Sequence, residues 1–153
     1  MPVLKIVNGY DNIDAPEKLI DYILRKARFY GGCAVDVNHA AEQMHFVKEA
    51  WNAVDGRQVY HIIVSFSDKE LYTIDIDDAI GLAESICNYL GEERQIIYGI
   101  HLDTDNLHIH FAMNTVSYRD GRRYASNRGN DIKLARFIEQ KCEMKITVIY
   151  NSV

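Results

Sequence analysis

Proline is scarce in this 153-residue chain, which has only Pro2 and Pro16, so almost every segment is free to enter a helix or a strand. The three cysteines, Cys33, Cys87 and Cys142, are odd in number, widely spaced and without a CxxC pair. That excludes a disulfide framework and a thiolate zinc site and leaves buried free thiols. No apolar run reaches the roughly 18 residues of a spanning helix, and the opening "MPVLKIVNGYDNID" has neither the basic start nor the apolar stretch of a signal peptide. A cytoplasmic protein without membrane insertion is expected. An excess of positive charge is also missing, for the formal net charge is −5, which taken alone points away from nucleic acid.

The charge is unevenly spread. Residues 68–93 hold eight acids against Lys69 alone, a local −7 that leaves +2 for the rest of the chain. An acidic back and a mildly basic front fit these numbers. A hydrophobic content of 48% suits one compact domain with its own core.

"VLKIV" opens as a strand that "NGYDN" breaks with turn residues. "DAPEKLIDYILRKARF" reads as a helix, with Asp14 as N-cap, Pro16 in the first turn and "YGG" as its stop. A second helix is expected over about 38–53 from Ala41, Met44, Val47 and Trp51 at helical spacing. "QVYHIIVSFS" is a buried strand, and "IDIDDAIGLAESICNYLG" a helix that Gly91 ends. "QIIYGIHLD" and "HIHFAMNTV" form a hairpin around "TDN", "NDIKLARFIEQKCEM" is a helix and "KITVIY" a closing strand. The order predicts an α+β sandwich in which helices cover one face of an antiparallel sheet. The other face is left to carry a site.

Three of the six histidines fall within "GIHLDTDNLHIHFAMN", residues 99–114. Side chains alternate along a strand, so His108, His110 and Asn114 share one face, and Ile109, Phe111 and Met113 turn to the core. His101 and Asp103 share a face of the preceding strand, and the hairpin sets His101 beside His108 and His110. Three neighbouring imidazoles repel one another when protonated, but their neutral lone pairs suit a divalent cation. Three histidines with an open position match a catalytic rather than a structural metal site. Asp103 and Asp105 are either ligands or carboxylates that orient a ligating histidine. His61, taken alone, reads as an ordinary satisfied or solvent-facing histidine.

Tyr22 lies opposite the Ile20, Ile23, Leu24 and Ala27 side of its helix, in a stripe with Lys18, Arg25, Lys26 and Phe29. Cations there attract phosphate oxygens and favour phenolate over phenol.

Three segments in order resemble the MobP-like relaxases, mobilisation nucleases of the His-hydrophobe-His (HUH) endonuclease superfamily. They are "LIDYILRKAR" with Tyr22, "YHIIVSFSDKE" with Ser65, and "HLDTDNLHIHFAMNTV" with His101, Asp103, His108, His110 and Asn114. "GRRYASN" resembles the family's continuation after a turn. The resemblance implies an HUH endonuclease-like sandwich, with residues 1–153 as one relaxase domain lacking the C-terminal extension of longer relatives. It further implies site- and strand-specific nicking at an origin of transfer. In that reaction Tyr22 attacks the scissile phosphate in line, the 3′ hydroxyl leaves and a 5′-phosphotyrosine keeps the bond energy for religation. His101, His108 and His110 would hold the metal on nonbridging phosphate oxygens. Manganese or magnesium is the expected functional ion, with zinc, nickel or cobalt as ions a crystal would capture.

A phenol is a weak nucleophile at neutral pH, so a base or nearby cations must help. Asp103 is a candidate base, ranked below a role in holding His101 or another ligand, and Lys26 and Arg25 assist on the tyrosine side. Asp105 reads as loop. The expected partners are single-stranded or extruded origin DNA, accessory mobilisation proteins and the secretion coupling machinery. Ser65, Asn114, Arg122 and Arg123 are candidate DNA contacts, with Arg119 and Arg128 in or after the same turn. An HUH replication initiator or transposase shares the same logic. A metal hydrolase using bound water, or an inactive DNA-binding or partner-binding module of this fold, would not need Tyr22.

Overall fold

In a computed structural model the chain is described over residues 1–103 and 106–152, with Asp103 described in its backbone only. Among the described residues six strands form one sheet: β1 (Val3–Asn8), β2 (Phe29–Cys33), β3 (Val59–Phe66), β4 (Ile96–Asp103), β5 (Asn106–Asn114) and β6 (Thr147–Ser152). Their order is β2-β4-β5-β3-β1-β6. All neighbours are antiparallel except β1 and β6, so the sheet is mixed rather than wholly antiparallel. Four helices accompany it: α1 (Ala15–Arg25), α2 (Ala40–Ala50), α3 (Ile76–Gly91) and α4 (Arg128–Cys142).

The α+β class is as the sequence implies, but the helices occupy both faces. Leu4, Ile6, Tyr60, Ile62, Val64, Ile96, Tyr98, Ile100, Ile109, Phe111 and Met113 pack under α3 and α4 in the larger core. Ile97, Val59 and Ala112, on the opposite side of their strands, pack under α1 and α2 in a smaller one. The alternation of β5 is therefore core on both sides, which central strands tolerate because neither face meets water. The acidic segment contributes α3, so the acidic back lies across the sheet from α1.

Local details differ from expectation in ways that packing explains. Asp14 occupies the N-cap position of α1 without a side-chain cap and instead pairs with Lys18 at 3.0 Å. α1 stops at Arg25, and "FYGGC" is the edge strand β2 rather than a helix stop. A Cβ on Gly31 would lie 2.8 Å from the Tyr98 ring, so the glycine marks a close approach within a strand. The buried face of α2 runs through Ala40, Met44 and Lys48, while Trp51 is exposed. Lys48 is 1% exposed with no hydrogen-bond partner for Nζ. Burial, then the Arg123 charge, lowers its pKa to about 8 against the pull of Glu17.

The crossing of α1 over β4 fixes the site. Ile23 is fully buried, and a Cβ on Gly99 would meet its Cγ2 at 2.6 Å and its carbonyl oxygen at 3.1 Å. Only a residue without a side chain lets the helix lie this close.

Gly99→Ala is expected to destabilise the fold by about 1–3 kcal/mol through overpacking, read as a lower urea midpoint with unchanged slope. Lys48 gives a pH signature. Its folded pKa lies below its unfolded one, so the unfolded chain binds more protons between them and stability rises with pH across that window. Between pH 8 and 10 the wild type should gain about 1–3 kcal/mol in urea unfolding relative to Lys48→Met, because the thiols Cys87 and Cys142, whose pKa values burial raises, lower stability over that window equally in both proteins.

Candidate functional site

β4, β5 and β3 lie side by side and bring four histidines to the α1 face of the sheet. His101 stands opposite His108, Gly99 opposite His110, Ser65 opposite His108 and His61 opposite Ala112. The His101 and His110 rings lie 4.2 Å apart between centroids, His61 and His110 5.2 Å, and His108 and His110 5.9 Å. His101 Nε2 donates to the Ile23 carbonyl at 2.8 Å. A carbonyl can only accept, so His101 carries a proton on Nε2 and Nδ1 is the nitrogen left for a ligand.

Tyr22 does not face open water. Its ring packs edge-on against His101 and His110, with centroids 5.7 and 5.6 Å away, and Lys26 Nζ lies 5.2 Å from its centroid. It remains 41% exposed, enough to be approached from outside. The expected cationic stripe is partly neutralised, since Lys18 pairs with Asp14 and Arg25 with Asp21. Phe29 belongs to β2 and not to this helix.

Burial, reinforced by neighbouring imidazoles and Lys26, lowers the pKa of His110 to about 2, and burial with His101 lowers that of His61 to about 4. Both rings are neutral at physiological pH. His110 Nε2 is buried without a hydrogen-bond partner, an orphaned polar atom that a cation would satisfy. Among the described residues no three His, Cys, Asp or Glu side chains already close around one point as a ligand set. The fit is in donor chemistry: imidazoles on adjoining strands, with His110 Nε2 buried and unpartnered among them.

His61 is the residue that sequence reasoning passed over. It is 6% exposed, its Nε2 lies 2.9 Å from His110 Nδ1 and its Nδ1 2.8 Å from the Tyr10 hydroxyl. The available signal was parity, because His61 is four residues before Ser65 and shares its strand face. Tyr10, Asn12, Lys18, Leu19, Tyr22 and His61 line a cavity of about 500 Å³ beside the cluster.

The other predicted residues are scattered. Ser65 is half-buried on the histidine face. Asn114 is fully buried, its amide donating to the Met44 carbonyl at 3.2 Å and to Gln95 Oε1 at 3.0 Å, which makes it an internal tie between α2 and the sheet rather than a DNA contact. Arg123 is committed to the carbonyls of Ala53, Asp55 and Arg57 and holds that loop. Arg122 is exposed and turns toward Asp120 at 3.9 Å. Both arginines follow the end of β5 remote from His108. The Asp103 side chain and Asp105 lie outside the described residues, so the base, ligand and loop assignments made for them do too.

A solved structure concerning the molecular basis of vancomycin resistance transfer in Staphylococcus aureus shares this fold, with TM-score 0.56 and 12% identity over 79% of this chain and 75% of that one. In sequence, the chain is similar to a protein rlx of Staphylococcus aureus, 24% identical over 86% of this chain and 40% of that one. It is also similar to protein TraI of Escherichia coli, 48% identical over 40% of this chain and 8% of that one. Protein MobA of Acidithiobacillus ferrooxidans is 33% identical over 50% of this chain and 19% of its own. The chain thus spans at most about 40% of the length of these relatives. No helix among the described residues is long and apolar enough to cross a membrane. The nuclease-domain family of MobA/VirD2-like relaxases matches residues 22–145, from Tyr22 through every histidine of the cluster, and the chain belongs to that family.

Proposed function

We propose that this chain is the nicking domain of a relaxase, spanning residues 1–153, that cuts one DNA strand at an origin of transfer during mobilisation of a plasmid or conjugative element. The reading is carried by one observation: a partly exposed tyrosine packed edge-on against two buried histidines, with a lysine beside its ring. Tyr22 Oη forms the new bond to phosphorus, the bond to the 3′ oxygen breaks, and that oxygen leaves as a hydroxyl once protonated. The 5′-phosphotyrosine retains the bond energy for rejoining.

His101, His108 and His110 are the residues that would hold a divalent metal, manganese or magnesium, which when bound neutralises the nonbridging phosphate oxygens and orients the phosphorus. Lys26 lends positive charge to the phenol and to an incoming phosphate. Ser65, opposite His108, is positioned to donate to a phosphate near the histidines. Arg25 is available to the DNA backbone once it exchanges Asp21 for a phosphate. The partners are single-stranded or extruded origin DNA, accessory mobilisation proteins and the coupling machinery of secretion, met in the cytoplasm.

With manganese and labelled single-stranded origin DNA, the protein should form an adduct that survives denaturation, and Tyr22→Phe should form none. Adduct from that variant would show that another residue is the nucleophile, and free nicked product without adduct would mark hydrolysis by bound water. In calorimetry, His108→Ala should bind manganese more weakly by more than the about 10–100-fold that losing an outer partner of a ligand costs. Undiminished affinity would remove His108 from the ligand set.

A further inference from the structure

We infer that His61 is a positioning residue for His110, with Tyr10 closing a three-residue hydrogen-bond chain that turns the His110 Nε2 lone pair toward the cation. This rests on the ligand reading above and assigns roles to two residues outside it. His61 lies behind His110 with the rings stacked at 25°. Its Nε2 is engaged by His110 Nδ1 at 2.9 Å and its Nδ1 by the Tyr10 hydroxyl at 2.8 Å. With both ring nitrogens in use, His61 is not itself a ligand.

A neutral imidazole carries one N–H, so the chain can run in two directions. If Tyr10 donates to His61, then His61 donates to His110 Nδ1, and the only proton of His110 sits on Nε2. That nitrogen is buried with no acceptor, so this direction strands a donor and offers a cation nothing. In the other direction His110 Nδ1–H donates to His61 Nε2, and His61 Nδ1–H donates to Tyr10 Oη. His110 Nε2 then bears a bare lone pair, the form a metal takes, and the tautomer of a ligating imidazole is set by the bond its other nitrogen makes. Tyr10, now an acceptor, keeps its own proton for a partner in the cavity it lines with Tyr22.

The backbone holds Tyr10 for this task. Its φ is 64°, after Gly9 at 118°, and its carbonyl accepts from Gln58 N–H at 2.9 Å. A bulky residue in the left-handed region is strained, and such strain persists only where the surroundings enforce it.

The test is manganese titration calorimetry on the full chain, with thermal melting of each metal-free variant as the folding control. His61→Phe keeps a ring and removes both nitrogens, and should weaken manganese binding by about 10–100-fold. His61→Gln, whose amide oxygen can accept from His110, should recover part of the loss, and Tyr10→Phe should lose less than His61→Phe. Nitrogen-15 spectra of the zinc-loaded wild type should show His61 protonated at Nδ1 and bare at Nε2, a readout that needs no variant to fold. Wild-type affinity in a folded His61→Phe, or a proton on His61 Nε2 in the loaded protein, overturns the inference. His110→Ala separates the two levels: if it still binds manganese as wild type, the ligand reading itself fails. If it loses the metal while His61→Phe does not, only the role of His61 fails.

Discussion

The site depends on how closely α1 approaches the sheet. Ile23 sits where a side chain on Gly99 would be, and this contact brings the last turn of α1 down onto β4 and β5. Because Tyr22 directly precedes Ile23, its ring is delivered to the rims of His101 and His110 rather than to solvent. The same approach lets His101 hydrogen-bond to a carbonyl of the helix, so helix and histidine fix each other. A residue of ordinary size at position 99 would separate the proposed nucleophile from the proposed ligands without altering either.

Beneath that contact the sheet performs two jobs with one periodicity. On β5, Ile109, Phe111 and Met113 bury one face, and His108 and His110 line the other. The large core under α3 and α4 lets the opposite face hold imidazoles that burial keeps neutral. The acidic load of α3 is kept on the far side, so under the proposed function a phosphate approaching α1 would meet Lys26 rather than Asp77, Asp78 or Glu84. A net negative chain is thus compatible with a DNA-facing front.

Strand parity made the histidine face readable from sequence, and the expected pairing of His101 with His108 is the register of the hairpin. The helix carrying Tyr22 and the α+β class were readable for the same reason, a period that survives in one dimension. What was not readable depends on partners distant in the chain. The "FYGGC" glycines look like a stop until Tyr98 is seen against Gly31. His61 looks ordinary until β3 lies beside β5, where His110 is 49 residues away in sequence. Asn114 and Arg123 have the composition of DNA contacts, but the Met44 carbonyl and the 53–57 loop claim them. Lys48 sits at a core spacing that hydrophobicity alone assigns to Val47 and Trp51.

The left-handed backbone at Tyr10 carries a consequence for how such a domain can be improved. Glycine or asparagine relaxes that conformation but gives up the packing of Tyr10 against the smaller core and its hydrogen bond to His61. Position 10 is where an easy backbone and the orientation of His110 pull in opposite directions, as stability and activity often do at strained sites.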